Sequence, residues 1–285
     1  FAFADDRICD SDQILHLARM PKTMAVVGAG VIGSEYACTF AALGTKVHVL
    51  DGRDSLLPVL DAEVSSTLAK AMGDLGIVFH WKELVTACEA PAGGGDVTLR
   101  LSSGATLRAD TVLVAAGRTS NTESLGLAAA GVTLGKRGLI PVDATYRTNV
   151  PGIYAVGDVI GAPALAATGV EQARVAMSHA FDLGFKSEVS PILPYGIYTI
   201  PEVSMAGETE ESLREKKIDY VAGKALYSEN ARGQIIGDRS GFLKLLFRRS
   251  DMKLLGIHVI GEQASELIHV GLAALLMDAG WDLFN

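Results

Sequence analysis

The strongest constraint on this chain is a short apolar stretch, Met24–Val27, running straight into Gly28-Ala29-Gly30-Val31-Ile32-Gly33 and then into a helical pattern. Over Val31–Leu43, Ile32, Tyr36, Phe40 and Leu43 recur at helical spacing, which predicts a helix with those four on its apolar face. Gly44 stands where a C-terminal glycine cap belongs, and Lys46–Leu50 alternates like a strand that ends at Asp51. Together these make a β-α-β unit of about 30 residues. In such a unit each glycine has a task. Gly28 permits the tight turn, Gly30 lets the backbone approach a pyrophosphate, and Gly33 lets the helix pack close to the strand. The helix start, with Val31 and Ile32 in its first turn, offers N–H donors and a partial positive charge to phosphates. Asp51 follows Gly33 by 18 residues, about where a carboxylate accepts hydrogen bonds from an adenosine ribose. That carboxylate repels the 2′-phosphate of NADP and so favours NAD. Arg53 is either a solvated surface arginine or a ligand for that same phosphate, which keeps NADP open. Glu35, in the first turns of the helix, interacts favourably with its dipole.

A second helix is predicted from Asp61 as N-cap, through the stripe Val64, Leu68, Met72 and Leu75, to Gly76. Residues 77–107 read as an antiparallel meander broken by Gly93-Gly94-Gly95, before a buried strand over Thr111–Ala115 and the loop Gly117-Arg118. A second strand-then-glycine pattern follows, Ile153–Val156 into Gly157-Asp158, which is either a site signature or a plain turn. A helix is expected over about 164–183. Beyond a boundary near residue 190, strands are expected over 195–200, 220–225, 241–247 and 254–260, with helices over 209–217 and 264–277. That order implies a separate α+β domain after an α/β region.

Composition narrows the function classes. The chain has 285 residues and a net charge of −8, which argues against nucleic acid or an anionic membrane as its main partner. No apolar run reaches the ~18 residues of a membrane span, Phe1–Asp6 has no signal-peptide pattern, and the cysteine usage points to a reduced cytoplasmic compartment. Cys9, Cys38 and Cys88 are odd in number and far apart, and the six histidines are scattered, so neither a disulfide framework nor a metal site is expected.

The ordered motifs GAGVIGSEYA (28–37), AAGRTSNT (115–122) and GIYAVGDV (152–159), followed by the alternating C-terminal region, resemble the pyridine nucleotide–disulfide oxidoreductase flavoproteins. The finer match, carried by CDSD (9–12), LDGRD (50–54), GIYTIPEVS (196–204) and ASELIHVG (264–271), is to the branch that moves hydride between NADPH and NAD. What the resemblance implies is specific. Residues 1–20 are a lead-in from an FAD domain, 21–117 a Rossmann-like NAD(P)-binding domain, 118–190 the later part of the FAD domain, and 191–285 a dimerisation domain. It places Glu35 beside nicotinamide and flavin as the catalytic residue, Gly117 and Arg118 along the NAD(P) site, Gly157 and Asp158 at the flavin ribityl chain, and Leu165 and Ala166 near the isoalloxazine. FAD, NAD and NADP are the implied cofactors and a homodimer the implied assembly. The family's first glycine motif, its redox-active cysteine pair and the lysine that pairs with the glutamate lie in a region with no counterpart here, so a longer parent is expected. The alternatives are a dihydrolipoamide dehydrogenase or related disulfide reductase and, from another class, an inactive NAD-binding and dimerisation module.

Overall fold

The computed structural model describes residues 1–285. In chain order the first elements are β1 (Ile8–Cys9), β2 (Thr23–Val27), α1 (Val31–Ala42), β3 (Lys46–Asp51), α2 (Ala62–Asp74), β4 (Val78–Trp81), β5 (Val85–Glu89), β6 (Val97–Leu101), β7 (Thr106–Ala109) and β8 (Thr111–Val114). After them come α3 (Ala166–Ala180), β9 (Tyr195–Ile197), β10 (Val203–Gly207), α4 (Glu210–Glu215), β11 (Tyr220–Leu226), α5 (Ala231–Ile236), β12 (Phe242–Arg248), β13 (Leu254–Ile260) and α6 (Ala264–Leu276). The chain divides into two compact units, Phe1–Gly117 with Pro194–Asn285, and Arg118–Leu193.

The larger unit is built on a parallel sheet of order β1-β8-β2-β3-β4. From Met24 to Val27 its central strand is apolar because both faces are covered. Met24 and Val26 point into a core shared with Cys38, Phe40, Leu68 and Met72, while Ala25 points the other way, against Val97, Leu99 and Leu101 of the β5-β6-β7 meander. The first core continues into Ile197, Val203, Met205, Phe242 and Ile260 of an antiparallel sheet, order β11-β12-β13-β10-β9. One core thus joins two sheets. The joint is reinforced by a buried cation. Lys244 of β12 reaches Asp61, the N-cap of α2, at 2.9 Å and Glu63 at 3.1 Å, and it also pairs with Glu210. Its ammonium fills the position a metal ion would take among those three carboxylates. Breaking such a buried cluster by removing its cation costs about 3–5 kcal/mol.

Several elements differ from the sequence expectation, each for a physical reason. The buried side of α1 is Gly33, Ser34, Ala37, Cys38 and Phe40, whereas Leu43 is exposed and Ile32 and Tyr36 are half-buried. Close approach of the helix to β2 selects the small residues, so only Phe40 of the expected face is buried. Residues 78–81 belong to the parallel sheet, paired with β3 from His48↔Val78 to Asp51↔Trp81, and the meander begins only at Val85. β10 was not expected, because Val203–Ala206 is buried on both faces between β13 and β9 and shows no alternation. α5 was not expected either. It is only six residues long, opened by the Asn230 side chain accepting from the Gly233 N–H at 2.7 Å and closed by Gly237 at φ +76°.

The smaller unit is loop-rich around a compact apolar cluster of Val132, Ile140 and Ala155. Its expected strand over 153–156 is absent. Tyr154 makes a lone bridge to Arg147, and Gly157–Ile160 is a single turn of 3-10 helix. α3 is shorter than expected, since Leu165 serves as its N-cap and Phe181 as its C-cap, with Asp182 and Gly184 at positive φ just beyond. No helix in the chain is long and apolar enough to cross a membrane.

Candidate functional site

In the parallel sheet, β2 leads through α1 to β3 on one side, while its other neighbour is β8. The strand order reverses at β2, and ligands of open α/β sheets bind in the crevice at the carboxyl ends of the strands at such a switch point. Gly28–Gly33 lies there. Gly28 has φ +108°, and a Cβ on it would overlap the Ala115 carbonyl at the end of β8. A Cβ on Gly33 would overlap the Gly28 carbonyl, which is why α1 can start hard against the turn. Gly30 differs from both. It has ordinary extended dihedrals (φ −79°, ψ −177°), and a Cβ there would meet no protein atom within 4 Å. The fold itself does not need glycine at 30; the open space in front of it is the crevice.

That crevice is a cleft of about 500 Å³ lined by Gly28, Gly30, Asp51, Arg53, Leu84 and Gly117, among others. Asp51, at the end of β3, ties its wall together. Its Oδ2 accepts the Ala29 N–H at 2.7 Å and the Arg53 Nη2 at 2.7 Å, and its Oδ1 accepts the Arg53 N–H at 2.9 Å and Nε at 2.8 Å. The Arg53 guanidinium and these backbone donors hold the carboxyl at about 2, well below the usual carboxylate range. Sequence reasoning missed the far wall, Glu83–Leu84. It follows β4 directly, so placing 78–81 in the parallel sheet would have located it at the carboxyl edge with the rest. The meander clamps this wall: Glu83 accepts from the Ser102 hydroxyl at 2.9 Å and the Ser103 N–H at 3.1 Å, and Ser102 N–H donates to the Leu84 carbonyl at 2.8 Å.

Val31 and Ile32 form the first turn of α1, with Val31 exposed at the helix start. Glu35, one turn further, reaches the residue that follows β9, where its Oε1 accepts the Tyr198 N–H at 2.8 Å. The Tyr198 contact had no signal in the sequence, since 163 residues separate the partners.

In the smaller unit, Arg118 and Asp158 come together at 3.5 Å beside a second cleft of about 460 Å³ that also holds Ser120, Asn121 and Arg137. Gly157 has φ +77°, and its N–H donates to the buried Gln172 Oε1 of α3 at 2.7 Å. Gly169 of the same helix approaches so closely that a Cβ would lie 3.2 Å from the Gly157 Cα. Leu165 and Ala166 open α3, Leu165 half-buried and Ala166 exposed. Of the sequence-predicted residues, Gly28, Gly30, Asp51, Arg53 and Gly117 line the first cleft and Arg118 and Asp158 the second, whereas Val31, Ile32, Gly33, Glu35, Gly157, Leu165 and Ala166 line neither.

A glycine-lined switch point on a parallel sheet, with helices on one face, an antiparallel meander on the other and an antiparallel sheet appended, defines the class: a Rossmann-like α/β protein with an α+β domain. Comparison with known proteins places it further. The family model described as pyridine nucleotide-disulphide oxidoreductase matches residues 1–180, and that of the same family's dimerisation domain matches residues 193–285. The chain is 48% identical over 274 residues to the soluble pyridine nucleotide transhydrogenase of Mycobacterium bovis, covering 96% of this chain and 58% of the relative. It is 45% identical over 273 residues to the protein of that name from Chromohalobacter salexigens, again covering 96% and 58%. Among solved structures, the Cu(II) complex of the HOCl-induced flavoprotein disulfide reductase RclA from Escherichia coli superposes with a TM-score of 0.91 at 26% identity, covering 97% of this chain and 62% of that one. LpdA from Mycobacterium tuberculosis superposes with a TM-score of 0.87 at 31% identity, covering 95% and 59%. The chain belongs to the pyridine nucleotide-disulphide oxidoreductase family. It spans less than two thirds of the length of each of these relatives.

Proposed function

We propose that this chain is the coenzyme-binding and dimerisation part of an FAD-dependent oxidoreductase that transfers hydride between NADPH and NAD. The observation that carries the reading is Gly30, a glycine the fold does not require, facing an open cleft between Asp51 and Gly117. The 48% identity to a soluble pyridine nucleotide transhydrogenase over 96% of the chain supports the choice of reaction.

In this reading Gly28, Gly30, Val31, Ile32 and Gly33 receive the pyrophosphate of the pyridine nucleotide, and Asp51 and Arg53 receive its adenosine ribose. Gly117 borders the path of the nucleotide, Glu35, oriented by the Tyr198 N–H, stands by the nicotinamide, and Arg118 stays with Asp158 at the second cleft. Gly157, Asp158, Leu165 and Ala166 form the flavin-facing group. When bound, FAD supplies a two-electron carrier between the two nicotinamides. The residues fit such a group: Gly157, at positive φ and pressed against α3, presents backbone rather than side chain, with Asp158 next to it as an exposed hydrogen-bond acceptor. A homodimer is part of the proposal, supported by the dimerisation-domain match and by the outward apolar side chains of the last helix, Leu267, Val270, Leu276 and Met277. The three unpaired cysteines suit a reducing, cytoplasmic compartment.

The test is anaerobic half-reaction kinetics on the full-length protein. NADPH should bleach the bound flavin and an NAD analogue should restore it. Flavin that stays reduced with the NAD analogue but is reoxidised by a disulfide would favour a disulfide reductase instead, the reading that the likeness to the Escherichia coli reductase supports.

A further inference from the structure

The Asp51 carboxylate is full. An ionised carboxylate offers about four lone-pair sites, and four donors already occupy them: the Ala29 N–H, the Arg53 N–H, and the Nε and Nη2 of Arg53. A ribose hydroxyl therefore has no acceptor to donate to while Arg53 stays in place. We propose that Arg53 is a self-occupying specificity residue: it caps Asp51 in the free protein, must swing off for either nucleotide to bind, and thereby sets the balance between NADH and NADPH. This rests on the coenzyme reading given above.

The four donors are not equally removable. The two backbone N–H groups belong to the turns after β2 and β3, so they remain when a nucleotide arrives. The two guanidinium donors sit on a side chain that is 46% exposed, while the Asp51 side chain it covers is only 9% exposed. Displacement thus falls on the arm of Arg53, which swings toward solvent and leaves Asp51 anchored to Ala29.

The two coenzymes then part ways. With NADH, ribose hydroxyls replace the two guanidinium donors and Arg53 gains nothing in return, so the arginine acts as a competitor. With NADPH, the 2′-phosphate is itself a charge-rich acceptor that would repel Asp51 but can engage the released guanidinium in a two-pronged contact. Arg53 then acts as a ligand. One side chain opposes one coenzyme and recruits the other.

The consequence is a pair of effects of opposite sign, which a simple phosphate-binding arginine does not produce. Binding of NADH and of NADPH should be titrated by coenzyme fluorescence on the full-length protein, for wild type, Arg53→Ala and Arg53→Lys. Arg53→Ala is expected to bind NADH about two- to fivefold more tightly, the range for removing a half-exposed ion pair. NADPH should bind at least about tenfold more weakly, as for loss of a charge-assisted contact. Arg53→Lys should lie between, because an ammonium is a single point charge without the fork. Arg53→Gln, uncharged but similar in length, provides a second variant should the alanine protein fold poorly, with the same two signs expected. The proposal is overturned if removing Arg53 leaves NADH binding unchanged or weaker, whatever happens to NADPH, because Arg53 would then be a plain phosphate ligand or no part of the site. Wild-type protein that binds neither coenzyme would instead overturn the coenzyme reading itself.

Discussion

The two glycine signatures of this chain look alike as sequence, each an apolar stretch of about four residues followed by glycine, yet they are built on different foundations. Gly28 ends a real strand, central in a parallel sheet, and is followed at once by a helix that its neighbour Gly33 presses against the turn. Gly157 ends no strand. Its segment is a loop held by one lone bridge at Tyr154, by the Gln172 side chain and by the approach of Gly169. The first site is specified by backbone packing, where a single methyl group has nowhere to go. The second is specified by side-chain hydrogen bonding around an open turn. Backbone-packed sites should therefore fail through stability, and side-chain-held sites through local order.

The sharpest way to break that contrast is Gly33→Ala. In the interior of an ordinary helix, alanine is favoured over glycine by about 1 kcal/mol. Here the added methyl overlaps the backbone carbonyl of Gly28 and lies 3.2 Å from Cγ1 of the buried Val26, so no flexible side-chain end is there to give way. The expected outcome is a net loss of about 3 kcal/mol, at the upper end for overpacked cores, read by urea denaturation. A variant as stable as wild type would mean that α1 is free to shift away from the turn, and that the first site is no more rigid than the second.

How much of this was legible in the sequence follows the same division. The β2-α1-β3 unit could be read from spacing because each constraint is local: Gly28, Gly33, Gly44 and Asp51 are close along the chain and act on one another. The Asp61 cap and the Val64, Leu68 and Met72 stripe were legible for the same reason, and all four are buried in the structure. What escaped depends on partners distant in sequence. The face of α1 was misassigned because apolar spacing favours Ile32 and Leu43, whereas contact with β2 selects Gly33, Ala37 and Cys38. β4 was given to the meander because nothing within Val78–Trp81 states that its partner is β3. Without that pairing the Glu83–Leu84 wall of the cleft has no sequence signal either. The apolar run before Gly157 promised a strand, but no neighbouring strand in that unit pairs with it, and a strand without a partner is a loop.

For the second signature the corresponding variant is Gln172→Leu. It removes the acceptor of the Gly157 N–H while keeping the side chain's bulk at a site that is 3% exposed. Leaving one partly buried donor unsatisfied costs about 1–3 kcal/mol. The loss should be concentrated in residues 153–166 and visible as faster amide exchange there, with the parallel sheet unaffected. Equal acceleration across β2 and β3 would show that the two regions unfold together and erase the distinction drawn between them.

The smallest expected effect on stability is the most informative about function. Gly30→Ala introduces a Cβ into open space at dihedrals alanine adopts without strain. The reduced entropy of the unfolded chain gives about 0.4–1 kcal/mol in favour of the variant, and alanine is a poorer helix cap than glycine by a comparable amount. The two nearly cancel, so the melting temperature should stay within a few degrees of wild type. The cleft, however, is narrowed at the point where a pyrophosphate would lie against backbone, and NADH affinity should fall by at least about tenfold, equivalent to about 1.4 kcal/mol. Gly33→Ala and Gly30→Ala thus place the same methyl group three residues apart and ask different questions, one of the fold and one of the ligand. If Gly30→Ala lowered the melting temperature while leaving NADH binding intact, glycine at 30 would be serving the turn rather than the nucleotide, and the central support for the coenzyme assignment would be gone.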